Sequence, residues 1–151
     1  FYGTPAFQFT FSNFVVPVQI SPDPNDPEVQ AISAFLRVLN ALENIRSSIN
    51  VAERGRLMSN AQDARELAGL ALAETVDAIA VLSQGALKNS NEIPIITARG
   101  ELQGARGFLD GARQSPSTAA VANKLDQALR RLRAARSTLA NPATLPPSFR
   151  N

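Results

Sequence analysis

Residues 98–113 read ARGELQGARGFLDGAR, a seven-residue unit that begins Ala-Arg-Gly, occurs twice and starts a third time. Together with Ile95, the repeat spaces Leu102 and Leu109 seven residues apart, as in the seam of a helix that packs against another helix. Arginines and glycines recur at the same interval on the rest of the helix. The stretch therefore predicts a helix with one core-facing seam.

Helix boundaries on either side are marked by proline and capping residues. Asp26 before Pro27 is a typical helix start, because proline at the first helical position lacks only an N–H that would be unpaired anyway. The segment 50–53, Asn-Val-Ala-Glu, reads as a capping box that starts a second helix, with a break at Gly55 and a cap at Ser59 as the alternative. The predicted helices span residues 27–49, 50 to about 87, 94–114 and 116–140, the last capped by Ser115.

These helices carry apolar stripes at steps of three and four residues. In the first helix the stripe predicted to enter the core is Val29, Ile32, Phe35, Leu36, Leu39, Leu42, Ile45 and Ile49. Four helices joined by short loops imply an antiparallel four-helix bundle. The predicted fold class is mainly α: a four-helix up-down bundle with an N-terminal extended or β arm and an extended C-terminal tail.

The first twenty residues differ in character from the rest of the chain. Five of the eight Phe residues lie there, and 7–11, Phe-Gln-Phe-Thr-Phe, alternates apolar and polar residues as a half-buried strand does. A second β-branched run follows at 14–20, so the segment forms either a hairpin closed at Ser12-Asn13 or one straight arm. The predicted organisation is an arm at 1–20, a Pro-rich linker at 21–27, a bundle at 28–140 and a tail at 141–151.

The composition excludes several classes of chemistry. The 151 residues contain no Cys and no His. A chain without these residues has no disulfide, no thiolate nucleophile and no zinc–sulfur site, and it lacks Ser–His and Cys–His catalysis. We therefore expect neither an enzyme nor a resident cofactor or metal.

Two carboxylates are candidates for chemistry that remains. Glu74 and Asp77 are three residues apart and point the same way on a helix, as acid–base or hard-cation sites require. The favoured interpretation is nevertheless an ion pair with an arginine of helix three or four.

Charge is unevenly distributed along the chain. Residues 1–92 carry 10 acids and 6 bases, whereas 93–151 carry 3 acids and 9 bases. The predicted basic face consists of Arg99, Arg106, Arg113, Lys124, Arg130, Arg131, Arg133 and Arg136. Such a face favours packing against acidic helices of the same chain or of another copy, or, less favoured, the phosphates of nucleic acid. No aromatic residue is interleaved to stack on bases.

Glycines define a second candidate surface in helix three, namely Gly100, Gly104, Gly107 and Gly111. Because each glycine in a helix costs up to about 1 kcal/mol, four on one face indicate that another backbone approaches closely. The approaching helix belongs either to another subunit or to the same bundle, and simple tolerance of the glycines is the third alternative.

The arm is the most informative feature for function. The residues predicted to form its apolar face are Phe7, Phe9, Phe11, Phe14, Val16 and Val18. A lone hairpin is marginal in water, so this face must be covered by its own bundle or by a neighbouring copy.

The sequence thus predicts a non-enzymatic structural subunit that self-assembles by arm exchange into a homo-oligomer, filament, sheath or shell. A start at Phe1 favours N-terminal processing and an extracellular or cell-surface location, with a virion or the cytoplasm as the other places expected. The alternatives are a nucleic-acid-associated or virion structural protein and a carrier of apolar small molecules. No stretch is apolar enough for a membrane span.

Overall fold

A computed structural model describes the backbone of residues 7–11 and 14–18 and the whole of residues 25–141. The region 25–141 contains four α-helices and one 3-10 turn. They are α1 (Pro27–Arg56), α2 (Ala61–Leu82), the turn Gly85–Leu87, α3 (Ile93–Arg113) and α4 (Thr118–Ala140). The predicted mainly α fold with four helices is confirmed.

Contacts between the helices show that neighbouring helices run antiparallel. In each pair of neighbouring helices, residues nearer the C-terminus of one helix contact residues nearer the N-terminus of the other. The paired residues are Arg37 with Val81 and Ser48 with Ala71 for α1–α2, Arg65 with Ser115 and Arg99 with Leu82 for α2–α3, Lys124 with Phe108 and Arg131 with Glu101 for α3–α4, and Glu53 with Arg133 and Arg56 with Asp126 for α1–α4. The arrangement is an up-down bundle.

The core on α3 follows the seven-residue repeat of residues 98–113. Leu102 and Leu109 are fully buried, as are the three alanines that open each repeat unit, Ala98, Ala105 and Ala112. Small side chains let helices approach closely, and α3 and α4 form the most extensive helix–helix contact of the bundle. The predicted seam of helix three is confirmed.

The predicted boundary between helices one and two is wrong. No helix starts at the capping box 50–53, because α1 continues to Arg56, and α2 is capped by Asn60 rather than by Ser59. The Asn60 side chain accepts the N–H groups of Gln62 and Asp63 at 2.7 and 3.2 Å. Burial of α1 against the other helices outweighs the local capping signal.

Gly55 lies in the last turn of α1, where this helix comes close to α2 and α4. It is buried, and a Cβ added there would lie 3.0 Å from Leu125 Cδ1 and 3.1 Å from Leu67 Cβ. The alternative prediction, a break at Gly55 followed by a cap at Ser59, is within one residue of the structure, since α1 ends at Arg56 and the cap of α2 is Asn60. Gly55 itself is a position where α1 is packed too tightly to accept a side chain without a shift of its neighbours.

Two further boundaries differ from the prediction. α2 ends at Leu82 rather than near residue 87, and Gly85 follows with a positive φ of 59°, which favours glycine. Helix α4 is capped by Ser117, whose hydroxyl accepts the Ala120 N–H at 3.1 Å. The hydroxyl of Ser115 donates instead to the Gly111 carbonyl at 2.8 Å.

The arm forms a hairpin, one of the two predicted alternatives. Strands β1 (Phe7–Phe11) and β2 (Phe14–Val18) are antiparallel and form a two-stranded sheet. The chain divides into two compact units, residues 1–30 and residues 31–151. The interface that covers the arm remains a prediction, and the predicted extended tail lies outside the described residues from position 142 onward.

Candidate assembly surfaces

The register of the hairpin places the predicted arm residues on one face. Directly opposite residues of an antiparallel pair share a face, and successive residues alternate between faces. The opposite pairs on one face are Phe7 with Val18, Phe9 with Val16 and Phe11 with Phe14. The other face is set by Gln8 opposite Pro17 and Thr10 opposite Val15. All six predicted residues therefore lie on the same face of the hairpin.

The glycine face of α3 points away from the bundle core. A Cβ added at Gly100 or Gly107 would meet no atom within 4 Å. At Gly104 and Gly111 the nearest atoms that it would meet belong to the side chains of Arg131, at 3.3 Å, and Lys124, at 3.6 Å. None of the nearest atoms belongs to a neighbouring backbone, so the predicted close helix pair inside the bundle is wrong, and a subunit contact and simple tolerance of the glycines both stay predictions.

The arginines of α3 serve different partners rather than one continuous face. Arg99 donates to the carbonyls of Leu82 and Leu87 at 3.0 and 2.7 Å, which satisfies backbone groups where α2 and the 3-10 turn end. Arg113 pairs with Asp110 at 3.2 Å. Arg106 is exposed on the helix surface.

Three arginines of α4 form ion pairs within the chain. Arg131 pairs with Glu101 at 2.9 Å, Arg130 with Asp126 at 3.1 Å, and Arg133 with Glu53. Lys124 places its ammonium 5.7 Å from the centre of the Phe108 ring. Arg136 is partly buried. The pairs of Arg131 and Arg133 join α4 to α3 and α1, in line with the interpretation of a basic helix beside acidic ones, whereas the pair Arg130–Asp126 lies within α4.

The predicted carboxylate pair has no arginine partner among residues 25–141. Neither Glu74 nor Asp77 takes part in an ion pair there, so the expected contact with helix three or four is wrong. Within the described part of the chain no group of three or more potential ligand side chains is positioned to hold a metal ion.

An open groove lies between α2 and α3. Its volume is about 410 Å³, and its lining residues are Leu72, Val76, Gln103, Arg106, Gly107, Asp110 and Arg113. The groove combines apolar side chains of α2 with charged and polar side chains of α3. The sequence analysis did not identify it, because it arises only where the outer flanks of two helices meet.

Three of the eight residues in the apolar stripe predicted for helix one are exposed. Ile32, Leu36 and Leu39 are 47%, 57% and 45% exposed, whereas Leu42, Ile45 and Ile49 are buried. The placement of the three exposed residues in the core is therefore wrong. Spaced by four and three residues, they share one face of the helix. We call them the α1 stripe.

Within the described residues, no helix is both long and apolar enough to cross a membrane. Comparisons of the chain with protein-family models, with curated proteins and with solved structures found no match.

Proposed function

We propose that this protein is a non-enzymatic structural subunit that assembles with copies of itself through its N-terminal arm. The form of the assembly that we propose is a filament, sheath or shell at the cell surface or outside the cell. Arm exchange between subunits is the proposed mode of contact. The hairpin register is the observation that carries the proposal.

That register gathers six apolar residues on one face of a sheet that has only two strands. Such a sheet is too small to cover an apolar face by itself. The Pro-rich segment 21–27 favours extended chain between the hairpin and the bundle, so the hairpin is suited to reach a neighbouring subunit. A neighbour that buries this face gains the hydrophobic free energy of six side chains.

The glycine face of α3 supports the same proposal. Gly100 and Gly107 leave open space above the helix backbone on the side that faces away from the core. A surface of this kind accepts a helix of another copy at close range, because there are no side chains to keep the two backbones apart.

The test compares two double variants of the full chain. Phe9→Ser/Phe11→Ser alters the apolar face of the hairpin, whereas Gln8→Ser/Thr10→Ser alters the opposite face of the same strand. Light scattering coupled to size-exclusion chromatography gives the mass, and negative-stain electron microscopy gives the form of the assembly. We expect the first variant to be monomeric and the second to assemble like the unaltered protein.

Unaltered assembly of Phe9→Ser/Phe11→Ser would rule out the arm as the assembly element, and so would an unaltered protein that is already monomeric. Equal loss in both variants would show that the hairpin acts by its strand edges and not by its apolar face.

A further inference from the structure

The groove between α2 and α3 is bounded at one end by the side chain of Arg113. A Cβ added at Gly69 of α2 would lie 3.4 Å from the Arg113 Cδ, so the stem of Arg113 lies across α2 at this point. Because the two helices are antiparallel, Val76, seven residues after Gly69, is level with Arg106, seven residues before Arg113. The groove therefore runs about 10 Å along the helices, from Arg113 to Arg106 and Val76.

The two sides of the groove differ in chemistry. Leu72 and Val76, one helical turn apart on α2, form an apolar side, and Val76 is 37% exposed. The α3 side carries charged and polar groups, among them Arg106. Gly107 also lines the groove, and nothing lies within 4 Å of the position that a Cβ would take there. Open space thus lies next to apolar side chains and within reach of a guanidinium group.

The groove carries an excess of positive charge. Its one lining carboxylate, Asp110, is already paired with Arg113 at 3.2 Å. Arg106 forms no ion pair among residues 25–141, and the nearby α2 carboxylates Glu74 and Asp77 do not line the groove. The lining therefore holds two guanidinium groups and one carboxylate, a net charge of +1, and Arg106 is the cation left to bind an anion.

We propose that this groove binds a small amphipathic carboxylate, an alkyl chain that ends in a single carboxylate group, as in a medium-chain fatty acid. The carboxylate pairs with Arg106, because the planar guanidinium presents N–H donors that match two carboxylate oxygens. The alkyl chain lies over Gly107 and packs against Leu72 and Val76, where it loses contact with water. One negative charge balances the net charge of the groove. The volume of about 410 Å³ is within the range of small-molecule sites.

This inference does not depend on the proposed assembly. All the lining residues belong to one chain and lie within residues 31–151, which form one compact unit. It also differs from a carrier that encloses an apolar ligand in the bundle core, because the groove lies on the outer flanks of α2 and α3.

The first experiment tests the chemistry of the ligand. Isothermal titration calorimetry measures the binding of octanoate to the full chain, with acetate and 1-octanol as controls. Acetate has the charge without the alkyl chain, and 1-octanol has the chain without the charge. We expect octanoate to bind at one site per chain and each control to bind at least about tenfold more weakly. Absence of octanoate binding, or equal binding of 1-octanol, would overturn the proposal.

The second experiment tests the role of Arg106. Arg106→Gln removes the charge that pairs with the carboxylate and should raise the Kd for octanoate by about tenfold or more. The matched control is Arg54→Gln, which removes an exposed arginine of α1 outside the groove and should leave the Kd unchanged. Equal effects of the two variants would show that octanoate is held by the overall positive charge, and the proposal would be wrong.

The third experiment fills the groove. Gly107→Leu places a side chain in the open space and should abolish octanoate binding. Gly100→Leu is the matched control, because Gly100 has equally open space on the same helix but does not line the groove. Circular dichroism shows whether both variants keep the helical fold. Loss of binding in both variants would assign octanoate to the glycine face, and retained binding in Gly107→Leu would assign it elsewhere. Either result would overturn the proposal.

Discussion

Gly55→Ala is the perturbation that most directly tests how α1 packs in the bundle. A methyl group at this position would lie 3.0 Å from Leu125 Cδ1, 3.1 Å from Leu67 Cβ and 3.5 Å from the Ala64 carbonyl oxygen. Leu125 is fully buried, so its methyl has little room to move away. The Leu67 Cβ moves only with the backbone of α2.

Two effects of opposite sign decide the result. In an open helix, alanine in place of glycine stabilises by about 1 kcal/mol. Extra volume in a well-packed core costs about 1–3 kcal/mol. With one of the two close neighbours attached directly to a helix backbone, we expect the second effect to win. The free energy of unfolding should fall by about 1 kcal/mol, which lowers Tm by roughly 2–4 °C.

The assay is urea denaturation followed by circular dichroism, with Gly107→Ala as the matched control. Gly107 is also inside a helix, but a methyl group there would meet no atom within 4 Å. Its variant should gain about 0.5–1 kcal/mol. If Gly55→Ala stabilises the protein as Gly107→Ala does, the close approach of α1 to α2 and α4 is refuted. A change in the slope m for either variant would instead indicate an altered denatured state.

The other predictions concern polar contacts of the bundle. Arg99→Met removes charge-assisted hydrogen bonds to two backbone carbonyls and should destabilise by about 1.5–3 kcal/mol, whereas Arg106→Met on the exposed surface of the same helix should change stability by under about 0.5 kcal/mol. Equal urea midpoints for the two variants would contradict this role of Arg99. Ser48→Ala should cost about 1 kcal/mol, because its buried hydroxyl bonds to the hydroxyl of Thr75 at 2.8 Å. Combined with Thr75→Val, its effect should be less than additive, and strict additivity in the double-mutant cycle would count against the contact.

Much of the helical architecture is predictable from local signals. The seven-residue repeat of α3 identifies the buried Leu102 and Leu109, and proline with its preceding residue marks the start of α1. These signals are reliable because helical period and the missing proline N–H act within a few residues of sequence. The alternation of 7–11 and the two residues at 12–13 predict a hairpin only as one of two alternatives, and the pairing of the strands decides between them.

The caps were harder to predict, because several serine and asparagine residues compete for each position. The segment 50–53 has the residues of a capping box, yet α1 passes through it with Ala52 fully buried. A local cap contributes about 1 kcal/mol, and the burial of a continued helix face outweighs it. Which of Ser115 and Ser117 caps α4 is decided by the path of the chain between the helices.

For the candidate surfaces, the sequence identifies the residues but not their partners. The six arm residues are identifiable from their alternation, and the arginines and glycines of α3 from their spacing. The partners of these residues are not identifiable from the sequence. The groups that contact Arg99, Arg131 and Gly55 belong to other elements of the fold. The sequence therefore assigned close packing to the α3 glycines, while the structure places it at Gly55.

By itself, the sequence determines a mainly helical chain without His or Cys, an apolar arm and the seam of each helix, because these depend on residue type and short-range periodicity. Only the tertiary structure decides which residues of the predicted stripe in α1 are buried. The reason is the length and register of the other helices: the pairs Glu53–Arg133 and Arg56–Asp126 place the end of α4 level with residues 42–46 of α1, and Ile32, Leu36 and Leu39 lie beyond that point. An apolar periodicity shows that a face can be buried, but the extent of burial depends on how far its partners reach.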